Sequence, residues 1–549
     1  MMHPHNDKWS AFRGIVPKYI LGAVLCLQRV LRTRNLQQAR LGGQIRDGLA
    51  PPILTAAVTF VSILLPISQA AAVPTDAKVS SAECISVPTT FSTPAVKDSE
   101  APVSLWEGWT YSQAVTLDAI PIFAPTDQQI TIRVTGLAPG EPVTLHASSS
   151  DYRKRIWAAQ ATFLADDKGV VDPARQAPEY GSYSGTHAMG LIWSLQPLGI
   201  KDSSSTHFFP ADDTYTVELQ VEANGHTLAR TTLTRLHQAP NVSKAVITSD
   251  GLVGEFYRPT MPGLHPAVLV LGGSDGGLYP QVDEAALLAA HGYAAFGLAY
   301  FQGYEDPNNP VLVHLPEMLV NIPLEYFVKA ADWLKRQPGV DARHVAIMGW
   351  SRGAEAALIT AATFPKEFQA VIGVMPSSVV WTGINNGQGP TTSAWTLGGK
   401  PLPWVNPVVT PGQFKPGEMM AFRGTMQTGL QNQAEVAKAV IPVEDIDAPV
   451  LLISAGDDQV WPSSLMADQI MKRLAEHRHA YADKSLCYAA AGHEVLPPYH
   501  PTNASAFGYP GGGGSMLGGK PTANAFAEED SWLELLKFLD TNFMSASRK

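Results

Sequence analysis

A serine flanked by two glycines is the first feature of the sequence that could do chemistry. Gly349-Trp350-Ser351-Arg352-Gly353 follows an apolar, strand-like run and precedes a helix-forming stretch. This pattern predicts a nucleophile elbow, a turn whose strained serine projects its hydroxyl clear of the backbone. Glycine is needed on both sides because a Cβ there would collide with the neighbouring strand or helix. Ser351 is therefore the candidate nucleophile.

A carboxylate and a histidine further along the chain can complete such a site. Asp457 and Asp458 follow a late apolar run, 449–454, and His493 follows another short run. The imidazole would take the serine proton, and the carboxylate would hold the imidazole in the right tautomer. The order Ser, Asp, His along the chain is the order of the catalytic triad in α/β-hydrolases. We prefer Asp458 to Asp457 because its spacing to Pro462 is usual for such loops.

A glycine-rich loop after an earlier apolar run is a candidate oxyanion hole. It reads Gly272-Gly273-Ser274-Asp275-Gly276-Gly277. Glycines past a buried strand let the backbone approach a reacting carbonyl, so we assign N–H groups of Gly273 or Ser274, together with that of Arg352, as donors. The alternatives are a plain turn and a phosphate loop, but the loop lacks the Gly-Lys-Ser/Thr ending of the latter.

Buried strands alternate with helices through the second half of the chain. Continuous apolar runs of strand length occupy 266–271, 293–299, 345–349, 370–374 and 449–454. The alternation predicts an α/β fold, an α/β-hydrolase domain over 241–549 with a mostly parallel, doubly wound sheet. Chemistry is expected at the carboxyl ends of its strands.

Residues 381–431 interrupt this alternation. They are rich in Gly, Pro, Thr and Trp. We predict an irregular insertion that acts as a lid over the site.

The preceding region, 118–240, has a strand pattern of a different kind. Polar and apolar residues alternate in short stretches such as 129–134, 143–147 and 215–221, which turn sequences separate. This spacing predicts a small all-β, immunoglobulin-like sandwich. The region carries no catalytic pattern. A non-enzymatic alternative is that it binds a surface ligand while the second domain serves as a scaffold.

The N-terminus has the order of a secretory signal. A basic stretch is followed by an uncharged apolar run, 53–67, and then by small residues up to Ala72. We predict a signal peptide or membrane anchor over 1–72, with possible membrane association through 53–72, and a linker over 73–117. The protein is then exported, either periplasmic or secreted, or membrane-anchored. It is cytoplasmic if this segment is not a working signal.

Composition excludes several classes of partner and cofactor. The formal net charge of −10 argues against nucleic acid, and the three cysteines form no CxxC pair or Cys/His cluster. No metal or cofactor is therefore predicted. Cys84 and Cys487 either pair, if the protein is exported, or remain two free thiols.

At this point the sequence resembles the family of acyl-CoA thioester hydrolases and bile acid-CoA:amino acid N-acyltransferases. The resemblance extends from about Asp118 to the C-terminal region. The segments that carry it are 131–143, 298–301, 304–306, 322–327, 456–458, 492–494 and 497–499.

The resemblance implies hydrolysis of an acyl thioester by Ser351, Asp458 and His493. Family members that conjugate acyl groups to amino acids typically carry cysteine as the nucleophile, so serine favours hydrolysis over acyl transfer. Coenzyme A is cytoplasmic, which conflicts with an export signal. An exported carboxylesterase-type hydrolase acting on non-CoA esters is therefore the main alternative, and acyl transfer to an amino acid is another.

Overall fold

A β-rich module precedes the large sheet of the protein. The computed structural model describes residues 84–88, 114–303, 311–385, 392–415, 417–509 and 512–544. The module contains β1 (Thr116–Ile120), β2 (Phe123–Pro125), β3 (Thr131–Thr135), β4 (Pro142–Ser150), β5 (Ile156–Leu164), β6 (Tyr180–Gly181), α1 (Gly190–Trp193), β7 (Gln196–Pro197), β8 (Thr214–Ala223) and β9 (His226–Leu236). β1 pairs with β3, while a second sheet has the order β2-β9-β8-β4-β5-β6, with β7 on β5. Alternate residues of both sheets enter one shared core, as the period of two requires.

The rest of the chain alternates strands and helices. Its strands are β10 (Val242–Ile247), β11 (Val253–Pro259), β12 (His265–Leu271), β13 (Ala294–Ala299), β14 (Ile322–Pro323), β15 (Val340–Trp350), β16 (Ala370–Val374), β17 (Trp395–Leu397), β18 (Lys400–Pro401), β19 (Met419–Met420), β20 (Val450–Ala455), β21 (Lys484–Tyr488), β22 (Ala506–Gly508) and β23 (Gly514–Met516). Its helices are α2 (Gln281–Ala290), α3 (Leu324–Lys335), α4 (Arg352–Thr363), α5 (Arg423–Gly429), α6 (Gln433–Ala439), α7 (Ser463–Glu476) and α8 (Pro521–Leu539), with a 3-10 turn at Val443–Asp445 and a π-turn at Asp540–Met544.

Eight of these strands form one sheet in the order β10-β11-β13-β12-β15-β16-β20-β21. From β13 to β21 all neighbours are parallel, and only β11 runs against its neighbours. The predicted α/β fold with a mostly parallel sheet is confirmed. Leu271 lies opposite Gly349, so the glycine-rich loop and the elbow leave the sheet side by side.

The two faces of this sheet are covered separately. Leu269 and Leu271 of β12 belong to one core with α3, α4 and α7, whereas Val268 and Val270 belong to a second core with α2 and α8. A strand buried on both faces is why the sequence there is a continuous apolar run.

The insertion between β16 and β20 is largely irregular, as predicted, and contains four short elements. Residues 381–431 contain β17, β18, β19 and α5. A backbone hydrogen bond links two distant parts of the insertion: the Thr382 N–H donates to the Val405 carbonyl at 3.0 Å. Most of the described residues of the insertion lie outside these elements, as predicted.

A short N-terminal segment is fastened to the edge of the large sheet. Cys84 forms a disulfide with Cys487 of β21. Ile85 makes a parallel bridge to Tyr488, and its carbonyl accepts from the Ala489 N–H at 2.9 Å. Of the two alternatives for the cysteines, the structure contains the paired form.

The predicted signal peptide or anchor over 1–72 and most of the predicted linker lie outside the described residues. Among the helices that the structure describes, none is long and apolar enough to cross a bilayer.

We expect Glu284→Gln to stabilise the protein in alkaline buffer. Glu284 lies in α2 and is 3 % exposed, and burial, followed by the neighbouring Asp283, raises the pKa of Glu284 to about 8. Between the ordinary carboxyl pKa and about pH 8, Glu284 is therefore protonated in the folded chain and ionised in the unfolded chain. The free energy of unfolding of the wild type falls as pH rises through that window. Glutamine removes this loss, a gain on the order of 5 kcal/mol above pH 8.

Thermal unfolding of both proteins across the pH range measures this gain. The difference in Tm should vanish near pH 4, where the carboxyl is protonated in both folded and unfolded chains. A pH-independent difference would contradict the assigned pKa.

Candidate active site

Ser351 lies in a strained turn between β15 and α4. Its φ is 55° and its ψ is −117°, a conformation that non-glycine residues rarely adopt. A Cβ on Gly349 would lie 2.0 Å from the Gly353 carbonyl oxygen, and a Cβ on Gly353 would lie 2.3 Å from that of Gly272. The predicted elbow is present, and both glycines are needed for the close approach of the strand, the helix and the glycine-rich loop.

The three predicted triad residues come together at the carboxyl edge of the sheet. His493 Nε2 lies 2.9 Å from Ser351 Oγ, and His493 Nδ1 lies 2.9 Å from Asp458 Oδ2. All three side chains are buried. If Nδ1 donates to the carboxylate, Nε2 is left unprotonated and faces the serine hydroxyl.

The two adjacent aspartates have different roles. The Oδ1 atom of Asp458 accepts from the N–H groups of Val460 and Trp461 at 2.9 and 3.1 Å, which leaves Oδ2 for the histidine. Asp457 instead accepts from the Gln459 amide at 2.7 Å and from the Gly519 N–H at 3.0 Å. Asp457 therefore fixes the loop, and Asp458 contacts the imidazole.

The imidazole of His493 is enclosed by aromatic rings. The rings of Trp350 and Trp461 have their centroids 5.2 and 5.9 Å from that of His493. The His493 N–H donates to the Leu517 carbonyl at 2.8 Å. The two ring contacts restrict the orientation of the imidazole, and the backbone bond holds the loop that carries it.

The predicted oxyanion residues flank the serine. A Cβ on Gly273 would lie 3.3 Å from Ser351 Cβ, so the loop backbone passes directly beside the nucleophile. Neither the Gly273 nor the Ser274 N–H has an acceptor within the ranges that the structure describes. Arg352 is the first residue of α4, where a helix leaves its N–H groups without an internal partner. The three N–H groups can therefore serve an incoming oxyanion.

The Arg352 side chain has a separate role that the sequence did not suggest. Its guanidinium forms an ion pair with Glu355 at 2.8 Å and donates to the Thr382 carbonyl at 2.9 Å. Glu355 accepts from the Trp381 N–H at 3.0 Å and from the Trp395 indole at 2.7 Å. Burial raises the pKa of Glu355, and the guanidinium opposes that rise. The pair therefore anchors the insertion to the elbow helix.

A cavity of about 1580 Å³ opens onto Ser351 and His493. Its wall has three sources: the loops at the sheet edge, the insertion and the β-rich module. The insertion contributes mostly apolar side chains, including Trp381, Phe414, Phe422 and Met426. The insertion thus lies over the site, as predicted for a lid, and the volume exceeds that of a usual small-molecule pocket.

The β-rich module also contributes charge to this cavity. His207 Nε2 lies 3.0 Å from a carboxylate oxygen of Glu494, the residue next to His493, although 287 positions separate the two in sequence. Burial would raise the pKa of Glu494, but His207, His500 and His493 together lower it. Burial, and then the charge of Glu494, raises the pKa of Asp275, at the cavity wall, to about 6. Sequence reasoning missed His207, because no local pattern marks a contact between two domains.

Comparison with known proteins accounts for both parts of the chain. The family model described as "BAAT / Acyl-CoA thioester hydrolase C terminal" matches residues 322–545, and "Acyl-CoA thioester hydrolase/BAAT N-terminal region" matches residues 127–249.

Similar whole proteins come from Mus musculus. Acyl-coenzyme A thioesterase 2, mitochondrial, is 30% identical over 431 residues, which cover 77% of this chain and 88% of the relative. Acyl-coenzyme A thioesterase 1 is 30% identical over 75% of this chain and 93% of the relative. Acyl-coenzyme A amino acid N-acyltransferase 1 is 31% identical over 79% of this chain and 99% of the relative. The chain therefore belongs to the family of acyl-CoA thioester hydrolases and BAAT, and it is a hydrolase.

Proposed function

We propose that the protein is a serine hydrolase that cleaves acyl thioesters through an acyl-enzyme intermediate. The observation that carries the proposal is the pair of 2.9 Å contacts that link Ser351 to His493 and His493 to Asp458. The contacts lie beside N–H groups that have no acceptor in the described part of the chain, and at the wall of a large cavity. Nucleophile, base, orienting carboxylate and oxyanion donors are the parts that acyl transfer needs.

In the first half-reaction, Ser351 Oγ attacks the acyl carbonyl while His493 Nε2 takes the hydroxyl proton. The tetrahedral oxyanion is stabilised by the N–H group of Arg352 and by a loop donor, Gly273 or Ser274. Collapse of this intermediate breaks the carbon–sulfur bond, and the leaving thiol receives the proton from His493. The acyl group is then esterified to Ser351.

In the second half-reaction, His493 removes a proton from water, which attacks the Ser351 ester. The carboxylic acid leaves, and the serine recovers its proton. An amine in place of this water would give an amide, as the name of the similar N-acyltransferase indicates for that protein. Serine as the nucleophile favours water as the acceptor.

The leaving group has two candidate classes. Family membership favours coenzyme A thioesters. The disulfide between Cys84 and Cys487 favours an oxidising compartment, where coenzyme A is not the expected carrier. We therefore propose export of the protein, in line with the signal-like segment at 1–72, and keep a non-CoA thioester or ester as the second candidate substrate. Membrane association through 53–72 belongs to the same proposal.

We further propose that the β-rich module is an immunoglobulin-like sandwich. Two sheets that share one hydrophobic core support this assignment. The module would then form part of the wall of the substrate cavity, to which it contributes His207. It would not be a separate ligand-binding unit.

Three leaving groups on the same acyl chain test the proposal. Purified protein is given equal concentrations of the CoA thioester, the N-acetylcysteamine thioester and the p-nitrophenyl ester, with Ser351→Ala as the blank. A strong preference for CoA identifies an acyl-CoA thioesterase, and equal or better turnover of the two small compounds identifies the second candidate. Glycine in the assay reports acyl transfer as an N-acyl product. No turnover above the blank with any compound would contradict the proposed function.

A further inference from the structure

Tyr300 lies at the carboxyl end of β13, one strand away from the glycine-rich loop. Its phenol is 3 % exposed, and its hydroxyl donates to the Gly272 carbonyl at 2.6 Å, with the Gly273 carbonyl also at 3.3 Å. Burial raises the pKa of Tyr300 well above its ordinary value, so the hydroxyl remains a proton donor at every working pH. The mechanism above gives this buried hydroxyl no role.

The hydroxyl controls the direction of two peptide groups. In a planar trans peptide, the carbonyl of one residue and the N–H of the next point in opposite directions. The bond from Tyr300 to the Gly272 carbonyl therefore also fixes the direction of the Gly273 N–H. The longer contact with the Gly273 carbonyl fixes the direction of the Ser274 N–H in the same way. Neither of these N–H groups has an acceptor among the described residues, and the loop backbone lies beside Ser351 at Gly273.

The tyrosine ring is itself held in place. It packs against Phe327 and Trp395, with ring centroids 5.4 and 6.0 Å away. The Trp395 indole donates to Glu355, which pairs with Arg352. One buried cluster therefore supports both sides of the oxyanion hole: the loop donor through Tyr300 and the elbow donor through the helix that carries Arg352.

We propose that Tyr300 is a positioning residue that sets the loop donor of the oxyanion hole through its bond to the Gly272 carbonyl. The proposal rests on the proposed function of Ser351 as the acylated nucleophile. Without the hydroxyl, the Gly272 carbonyl loses the hydrogen bond from Tyr300. The Gly273 N–H is then no longer held in the direction of the oxyanion. The nucleophile, base and acyl cavity remain intact, so the loss falls on the transition state rather than on substrate binding.

Tyr300→Phe tests this assignment, with Tyr326→Phe as the matched control. The Tyr326 hydroxyl also donates to a backbone carbonyl, that of Ala299 at 2.9 Å, but it does not contact the glycine-rich loop. We expect Tyr300→Phe to lower kcat by about 10- to 100-fold with KM within about threefold, less than the loss of a whole donor. Tyr326→Phe should leave both parameters within twofold.

Two further readouts separate positioning from a merely structural role. A trifluoromethyl ketone, which forms a tetrahedral oxyanion on the serine, should lose affinity in proportion to kcat, whereas the corresponding methyl ketone should not. Amide hydrogen exchange of the peptide over 270–277 should be faster in Tyr300→Phe than in Tyr326→Phe.

The outcomes distinguish the two proposals. Unchanged kcat or ketone affinity in an active Tyr300→Phe enzyme would overturn the positioning role and leave the proposed function standing. If wild type itself neither turned over thioesters nor bound the ketone, the proposed function would fail. In that case the positioning role is tested by hydrogen exchange only. Equal exchange of the 270–277 peptide in Tyr300→Phe and Tyr326→Phe would overturn it.

Discussion

Replacement of Ser351 by alanine is expected to lower kcat/KM for the preferred acyl thioester by on the order of 10⁵-fold. The variant keeps the cavity and the oxyanion donors but has no atom that can carry the acyl group. Alanine removes the hydroxyl that contacts His493 Nε2 at 2.9 Å and adds no atom, so the fold should be retained. Thiol release in a continuous assay measures the loss, and thermal unfolding checks that Tm is unchanged within a few degrees.

His493→Ala is the companion variant for this result. Because the hydroxyl and the imidazole act as a unit, the double variant should be no slower than Ser351→Ala alone. Retention of activity within tenfold of wild type in Ser351→Ala would mean that another group is the nucleophile.

Asp458→Asn should be the next most damaging substitution, with a loss in kcat of about 10⁴-fold. An asparagine can still accept from the Val460 and Trp461 N–H groups through its oxygen, which turns its NH₂ group toward His493. The imidazole must then accept at Nδ1 and carry its proton on Nε2, where it can no longer take the serine proton.

Asp457→Asn is the control for this effect. It adjoins Asp458, but its side chain accepts from the loop residues Gln459 and Gly519, whereas that of Asp458 contacts His493. We expect a loss below about tenfold, together with a lower Tm. If Asp457→Asn were the more damaging of the two substitutions, the assignment of the carboxylate would be wrong. Steady-state kinetics of both variants over a range of pH makes the comparison.

Local patterns made the candidate site predictable. Gly272, Ser351, Asp458 and His493 each follow an apolar run, and such runs are the strands of a parallel sheet whose carboxyl ends meet at one edge. The adjacent pair Asp457 and Asp458 could be ranked from spacing, and their hydrogen bonds agree with that ranking.

Contacts that depend on tertiary packing were not predictable. Tyr300 follows an apolar run, and nothing in the local sequence indicates a partner for its hydroxyl. The packing of the folded chain brings that hydroxyl to the Gly272 carbonyl. The Arg352–Glu355 pair reads in sequence as an ordinary exposed i,i+3 pair of a helix, yet both side chains are buried under the insertion. The sequence left Cys84 and Cys487 open between a pair and two free thiols, because only the fold shows that two residues 403 positions apart meet at the sheet edge.

The interface between the β-rich module and the sheet domain is also a tertiary feature. Trp193 of α1 belongs to the module core together with Tyr499 and Ala525 of the sheet domain. Asp127 of the module accepts from the Trp532 indole at 2.9 Å. These contacts, with the His207–Glu494 pair, make the module part of the wall around Ser351, and the family models match both regions.

Direct detection of the acyl-enzyme tests the central claim most closely. Wild-type protein is mixed with excess thioester, quenched in acid during turnover and digested, and its peptides are read by mass spectrometry. An acyl group on Ser351 that is absent from Ser351→Ala and disappears when substrate is exhausted is the predicted result. Turnover with the acyl group on a different residue, or turnover at saturating substrate with no acylated Ser351 peptide at any quench time, would contradict it.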